Sequence, residues 1–172
     1  MNSDTEIRLR ALKRADAPYM LEWMNDKEST KYLGSGFERK RSLEDVLEYI
    51  DMRLGGEFTG ECFAAADART DEYIGQCDLM LPDMRAGTAE AAIVIRSGMR
   101  GRGNGARALA LLISKAFDEL GYRRLYLKCA AENAGAVRLY ERAGFTREGT
   151  LRQHIFADGK LMDVYIYGLL RK

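Results

Sequence analysis

Arg100-Gly101-Arg102-Gly103-Asn104-Gly105-Ala106 lies between a strand-like run, Ala91 to Ile95, and the start of a long amphipathic stretch. Glycine lets the backbone take positive φ and approach a ligand closely. A helix start supplies unpaired N–H groups and the positive end of a dipole. Successive N–H groups in such a turn form a concavity for an anion. The loop therefore reads as the seat of a phosphorylated cofactor.

Two common nucleotide signatures fit poorly. Gly101-x-Gly103-x-x-Ala106 formally matches the dinucleotide fingerprint. It stands late in the chain, however, and the next strand ends Leu127-Lys128-Cys129, with no acidic residue for a ribose hydroxyl. A Walker loop needs Gly-Lys-Ser/Thr, which is absent here.

Outward from the loop, apolar spacing predicts the elements. Ile7, Leu9 and Ala11 alternate with arginines as in a strand. Asp16 is placed to cap a helix carrying Ala17, Met20, Leu21 and Met24. Lys31 to Arg41 reads as a loop, and Ser42 opens a helix that Gly55-Gly56 ends. Cys62 to Ala66 and Tyr73 to Leu81 form a strand pair across Asp67 to Glu72, and Ala89 to Arg96 is the next strand. A long helix, Gly103 to Leu120, precedes a strand at Leu125 to Cys129 and a helix at Ala134 to Ala143. The chain closes on a hairpin turning at Asp158-Gly159. The expected architecture is α+β (mixed α/β): a mostly antiparallel mixed sheet of about six or seven strands flanked by about four helices.

The 172 residues suit one domain, and 47% hydrophobic with 31% charged residues is an ordinary globular balance. A net charge of +1 gives no general pull toward nucleic acid. The longest apolar run, Ala108 to Ile113, is too short to span a bilayer, and Met1 to Glu6 has no secretory apolar region. One histidine and three cysteines (Cys62, Cys77, Cys129) without CxxC spacing argue against a metal centre and for a reducing, cytoplasmic setting.

A second constellation follows the glycine loop: Asn133-Ala-Gly-Ala-Val-Arg-Leu139-Tyr140-Glu-Arg-Ala-Gly144-Phe145. The pair of motifs resembles the GNAT superfamily of N-acetyltransferases. Arg100, Gly103 and Gly105 match its first signature, and Asn133, Leu139, Tyr140, Gly144 and Phe145 its second. Trp23-Met-Asn25-Asp26, Tyr73-Ile-Gly75 and the Glu148-Gly149 … Asp158-Gly159-Lys … Asp163 pattern look like the ribosomal-protein N-terminal acetyltransferase branch. The match is thinnest over residues 27–60, where the superfamily usually builds its acceptor site.

The resemblance implies acetyl-coenzyme A as donor and a primary amine as acceptor, with a protein N-terminal amine ranked first. A polyamine or amino sugar, or a module that senses acetyl-coenzyme A without turnover, is the alternative. The diphosphate would sit on the N–H groups of Arg102, Gly103, Asn104, Gly105 and Ala106, with Gly101 in the turn. Arg100, Arg102 and Arg107 offer charge-assisted contacts. The amide-bearing pantetheine arm would pair with Ile93, Val94 and Ile95 as strand addition. Asn133 would cap a helix and touch the arm.

Amine attack on a thioester needs a neutral amine and a proton for the leaving thiolate. Tyr140 matches the family position facing the sulfur, and a phenol of pKa ~10 is a suitable acid. Glu90 resembles a carboxylate often found on the central strand; alternation sets it with Ala92, Val94 and Arg96 on one face. It is a candidate base, or the partner of Arg96 or of another strand's cation. With no cysteine in either motif, direct attack in a ternary complex is expected. His154 and Trp23, Tyr32 and Phe37 read first as structural and second as acceptor contacts. Glu38-Arg-Lys-Arg41 reads as a solvated loop, or as a contact for an acidic acceptor. The exposed edge of the C-terminal hairpin offers pairing in a homodimer.

Overall fold

The computed structural model describes residues 6–56 and 58–172; residues 1–5, where a secretory signal was sought, lie outside them. In chain order the elements are β1 (Ile7–Ala11), α1 (Ala17–Met24), α2 (Lys27–Thr30), α3 (Leu43–Leu54), β2 (Gly60–Asp67), β3 (Tyr73–Asp83) and β4 (Thr88–Ile95). Then come α4 (Asn104–Ser114), β5 (Arg124–Ala130), α5 (Ala134–Arg142), β6 (Thr146–Ala157) and β7 (Lys160–Leu170). The seven strands form one sheet in the order β1-β2-β3-β4-β5-β7-β6. Only β4 and β5 run parallel, because a helical crossover joins them while the other strands meet as antiparallel neighbours. This is the mixed, mostly antiparallel sheet expected of the fold.

Local chemistry explains most boundaries. Ser42 and Asp45 cap α3 reciprocally: Ser42 Oγ accepts from the Asp45 N–H at 3.1 Å, and Asp45 Oδ2 accepts from the Ser42 N–H at 2.7 Å. Three expectations are corrected. Asp16 does not cap α1 through its side chain; the carboxylate is held by both Arg10 guanidinium nitrogens at 2.8 Å and by the Lys13 N–H at 2.8 Å. The long helix ends as regular α-helix at Ser114 and continues as a π turn over Lys115–Glu119, where the adjacent Ala116 and Phe117 are both buried. A fifth α-helix, the single turn α2, starts where Asp26 accepts from the Glu28 N–H.

Two apolar layers sandwich the sheet. Leu109, Leu112, Tyr140 and Phe145 pack from the α4–α5 side onto Ala89, Ala91 and Ile95 of β4. Met20, Trp23, Val46 and Ile50 pack from the α1–α3 side onto Ala64 and Tyr73. Each fully buried leucine such as Leu109 or Leu112 contributes about 1.5–3 kcal/mol, more than the ~0.2–1 kcal/mol of an exposed ion pair. Alternation along β4 thus sends Ile93 and Ile95 toward α4 and α5, and Val94 toward α1 and α3.

At the β2–β3 turn, the Asp71 carboxylate takes hydrogen bonds from Arg8 at 2.7 Å, Arg10 at 2.7 Å and the Lys13 ammonium. These cations hold its carboxyl far below the usual range. A group depressed in the folded state adds stability above its unfolded pKa of ~3.9 and loses it as pH falls toward the folded value. Thermal melts should therefore hold a plateau near neutrality and decline steadily below about pH 4. Asp71→Asn, which tolerates the local φ of 63°, should melt lower at pH 7 and show a shallower acid decline. An unchanged acid profile would remove Asp71 from this role.

Candidate active site

The sheet opens where the site lies. β4 and β5 pair only at Thr88 with Arg124, Ala89 with Leu125 and Glu90 with Tyr126. Beyond that point β4 stays on β3, and β5 stays on β7 up to Ala130 with Val164. The edge of β4 from Ala91 to Ile95 that faces β5 consequently has no strand partner among the described residues.

The glycine loop closes the open end. Gly101 and Gly103 take φ of 74° and 76°, a left-handed conformation that favours glycine. Asn104 is buried and donates through Nδ2 to the Met99 carbonyl at 2.9 Å, which fixes the curl of the loop. The first helical bond runs from the Arg107 N–H to the Gly103 carbonyl at 3.1 Å. The preceding amides are the unpaired donors of a helix mouth. Arg107 also reaches back to the Arg102 carbonyl at 3.0 Å.

A cleft of about 470 Å³ joins loop and fork. β4 lines it with Ile93, Val94 and Ile95, the loop with Arg100, Gly101 and Gly105, and α5 with Tyr140 and its cap Asn133. The remaining expected residues stand elsewhere. Arg102 and Gly103 are exposed beside the cleft, Asn104 points inward as a brace, and Ala106 faces a separate groove between α4 and α5. Asn133 caps α5, its Oδ1 accepting from the Ala136 N–H at 3.1 Å. Arg100 is not a free cation: Nε donates to the Ile95 carbonyl at 2.8 Å and Nη2 to Ser29 Oγ at 2.7 Å.

The two candidate catalytic groups flank the fork on opposite faces. Tyr140 is buried against Phe145 and Tyr167, at ring separations of 5.9 and 6.3 Å. Burial pushes its phenol well above the ordinary value, so the proton is retained at neutral pH. Among the described residues its hydroxyl has no hydrogen-bond partner. Glu90 stands where the strands part, mostly buried, with Lys128 Nζ at 3.4 Å. Its cationic partner is thus Lys128 of β5; Arg96 pairs instead with Glu72 and Glu22.

Sequence reasoning missed one wall and one cluster. The wall is α2 and its exit, where Glu28, Ser29, Lys31 and Leu33 join Tyr32 along the cleft. The capping Asp26 was its available signal. The cluster lies on the α3 side, where Gln76 Nε2 donates to Tyr49 Oη at 2.8 Å and to Asp78 Oδ2 at 2.8 Å. Arg53 approaches Asp78 at 3.3 Å. Burial raises the Asp78 carboxyl, against the opposing pull of Arg53, and pushes the Tyr49 phenol up to about 12. Of the aromatic candidates, Trp23 is core, donating to Tyr73 Oη at 3.1 Å, and Phe37 packs on it at 6.0 Å. His154 is exposed on β6 and borders none of these hollows.

The donor set suits an anionic, amide-bearing cofactor: amides at a helix mouth, an unpaired strand edge, and a side-chain-free Gly105 at the cleft. A Cβ built on Gly105 would sit 3.6 Å from Leu139 and 3.8 Å from Ile95. Among the described residues no group of three or more His, Cys, Asp or Glu could hold a metal ion, and no helix is long and apolar enough to cross a membrane.

Comparison with known proteins agrees with this geometry. A family model described as "Acetyltransferase (GNAT) domain" matches residues 6–146. The uncharacterized N-acetyltransferase p20 of Bacillus licheniformis is 30% identical over 168 residues, 96% of this chain and 93% of that protein. The spermidine N(1)-acetyltransferase of Vibrio cholerae is 30% identical over 164 residues, 95% of this chain and 91% of that protein. The crystal structure of spermidine N-acetyltransferase from Vibrio cholerae in complex with CoA and spermine superposes with a TM-score of 0.84 at 28% identity, covering 95% of each chain. With matches of this extent added to the fork and its loop, the chain belongs to the GNAT acetyltransferase family and is an acetyl-CoA-dependent N-acetyltransferase.

Proposed function

We propose that the protein acetylates the primary amine of a small molecule by direct transfer, with Tyr140 as general acid and Glu90 as general base. The observation that carries this reading is the fork, with a protonated, buried phenol on one face and a carboxylate at its crotch on the other. The relatives' acceptors, spermidine and spermine, favour a small amine over the protein N-terminus that the ribosomal-protein branch would imply.

Acetyl-CoA supplies an acyl thioester, which an amine converts to an amide and a free thiol. The chain's own groups do the rest. The amides at the mouth of α4, with Arg100 beside them, bind the diphosphate. The free edge of Ile93 to Ile95 aligns the arm, and Asn133 lines its path. Glu90 takes the proton that the amine sheds, directly or through water, and Tyr140 gives its proton to the departing sulfur. A cysteine relay is disfavoured: burial pushes the Cys129 thiol up to about 11 and raises Cys77 as well, so neither is a ready nucleophile. The outer edge of β6 is where a second copy would pair in the homodimer suggested by the sequence.

Thiol release from acetyl-CoA in the presence of a small-amine panel tests the reading; no release with any amine would defeat it. Tyr140→Phe should fold normally among its aromatic neighbours, keep cofactor affinity, and lower kcat by ~10²–10⁴. An unchanged kcat would move the acid elsewhere. Gly105→Leu should weaken CoA binding at least ~10-fold in calorimetry without lowering the melting temperature appreciably, because the side chain enters the cleft and its Cβ meets only ordinary contacts.

A further inference from the structure

We propose that Ser29, oriented by Asp26, positions the Arg100 guanidinium for the cofactor's diphosphate, so that affinity for CoA depends on the α2 wall. This rests on the reading of Arg100 as a diphosphate contact and adds two positioning residues to that site.

Arg100 is held differently from several other arginines of the chain. Arg10 meets Asp16 and Asp71, Arg53 meets Asp78, Arg96 meets Glu72 and Glu22, and Arg124 meets Glu148. Carboxylates neutralise those cations within the protein. Arg100 lines the cleft and donates to two uncharged acceptors, the Ile95 carbonyl at 2.8 Å and Ser29 Oγ at 2.7 Å. Neither bond neutralises its charge. Both bonds also fix its direction. They use Nε and Nη2, one edge of the planar guanidinium, and leave the Nη1–Nη2 end to offer paired N–H groups to an anion's oxygens.

The Ser29 hydroxyl serves as an acceptor because its own proton is committed. Ser29 Oγ donates to Asp26 Oδ2 at 2.5 Å, so its lone pairs are what Arg100 meets. Asp26 is itself fixed. Its Oδ1 accepts from the Glu28 N–H at 3.2 Å, and its N–H donates to the Trp23 carbonyl at 3.3 Å. Its carbonyl accepts from the N–H groups of Ser29 at 3.0 Å and Thr30 at 3.1 Å. Trp23 and Thr30 are buried, and past α2 Tyr32 packs on Ala130, Ala157 and Met162. The short helix is thus anchored at both ends and presents a fixed acceptor to the glycine loop.

An arginine that grips a ligand loses rotamer freedom, and that loss weakens binding. The Ile95 and Ser29 contacts impose the order before the cofactor arrives. Without the hydroxyl, the ordering falls on the binding step and lowers affinity by about 3–10-fold.

Asp26 separates this mechanism from plain charge. A carboxylate near the site repels an anion, so neutralising it would by itself tighten CoA binding. Asp26→Asn keeps the helix cap, since asparagine caps as well as aspartate. Its amide also offers Ser29 an N–H donor, which turns the hydroxyl proton toward Arg100. Affinity should then fall rather than rise.

Calorimetry with CoA on the full chain tests this, with melting curves to confirm folding. Ser29→Ala should raise the Kd for CoA by ~3–10-fold, and Ser29→Thr should restore it. Adding Ser29→Ala to Arg100→Ala should cause no further loss, whereas a merely structural serine would weaken binding in both backgrounds. Asp26→Asn should raise Kd by ~3–10-fold. An unchanged or lower Kd in Ser29→Ala or Asp26→Asn, or equal losses with and without Arg100, overturns the inference alone. An unchanged Kd in Arg100→Ala overturns it together with Arg100's place at the diphosphate. Absence of CoA binding by the unaltered chain overturns the transferase reading as well.

Discussion

The hydrogen-bond ladder between β4 and β5 stops after three residue pairs, and the site depends on that interruption. Its cause is topological. β5 is paired along its whole length with β7, and β4 along most of its length with β3. Each strand follows its own partner, and the twist carries their C-terminal ends apart. A buried backbone group left without a partner costs about 1–3 kcal/mol, so the free edge at Ala91 to Ile95 favours a ligand bearing amides. The arm of acetyl-CoA has that chemistry. The glycine loop at the open end places a helix mouth that the proposed reading assigns to the charged part of the cofactor.

The fork also separates two electrostatic environments. On the α4–α5 side Tyr140 sits among aromatic and aliphatic side chains, and burial, with a smaller contribution from Cys129 and Cys77, keeps its proton in place. On the α1–α3 side, Glu90 opens a row of ion pairs that continues through Asp78 with Arg53. The Arg53 guanidinium lies 3.7 Å from the Phe58 ring centre and 4.9 Å from that of Tyr49. Several buried polar atoms of this row, among them Asp78 Oδ1 and Gln76 Oε1, have no hydrogen-bond partner among the described residues. The Tyr140 phenol lies on the dry side of the sheet and the Glu90 carboxylate on the polar side, the two groups that the proposed transfer uses as acid and base. That division allows an amine and a thioester to meet without either group being drawn into the other's environment.

Arg100 ties the two halves together. Read from the motif, it is a candidate phosphate ligand; in the folded chain it lines the cleft and also spans from the last carbonyl of β4 to Ser29 on α2. Ser29 in turn donates to the cap residue Asp26. The glycine loop and the α2 wall of the cleft therefore share one chain of hydrogen bonds. Asn104 likewise changes meaning: it lies inside the motif, yet its side chain braces the loop from within.

Much of the architecture was legible without coordinates, because periodicity, caps and glycines act locally. The strands, four of the five helices, the capping Ser42 and Asn133, and the glycine turn of residues 100–106 all follow from neighbours a few residues apart. The two motifs identify the superfamily for the same reason. Contacts between distant segments followed other rules. Asp16 answers to Arg10 rather than to its helix, Glu90 to Lys128 rather than to Arg96, and Gln76 and Asp78 to α3. The short α2 is a cleft wall only because the sheet brings Arg100 to it. Sequence by itself determined the elements, the loop and the donor chemistry, since those are set by local backbone preference and side-chain type. Tertiary structure alone decided where the sheet opens and which cation each carboxylate meets, since strand order and cross-strand register bring those groups together.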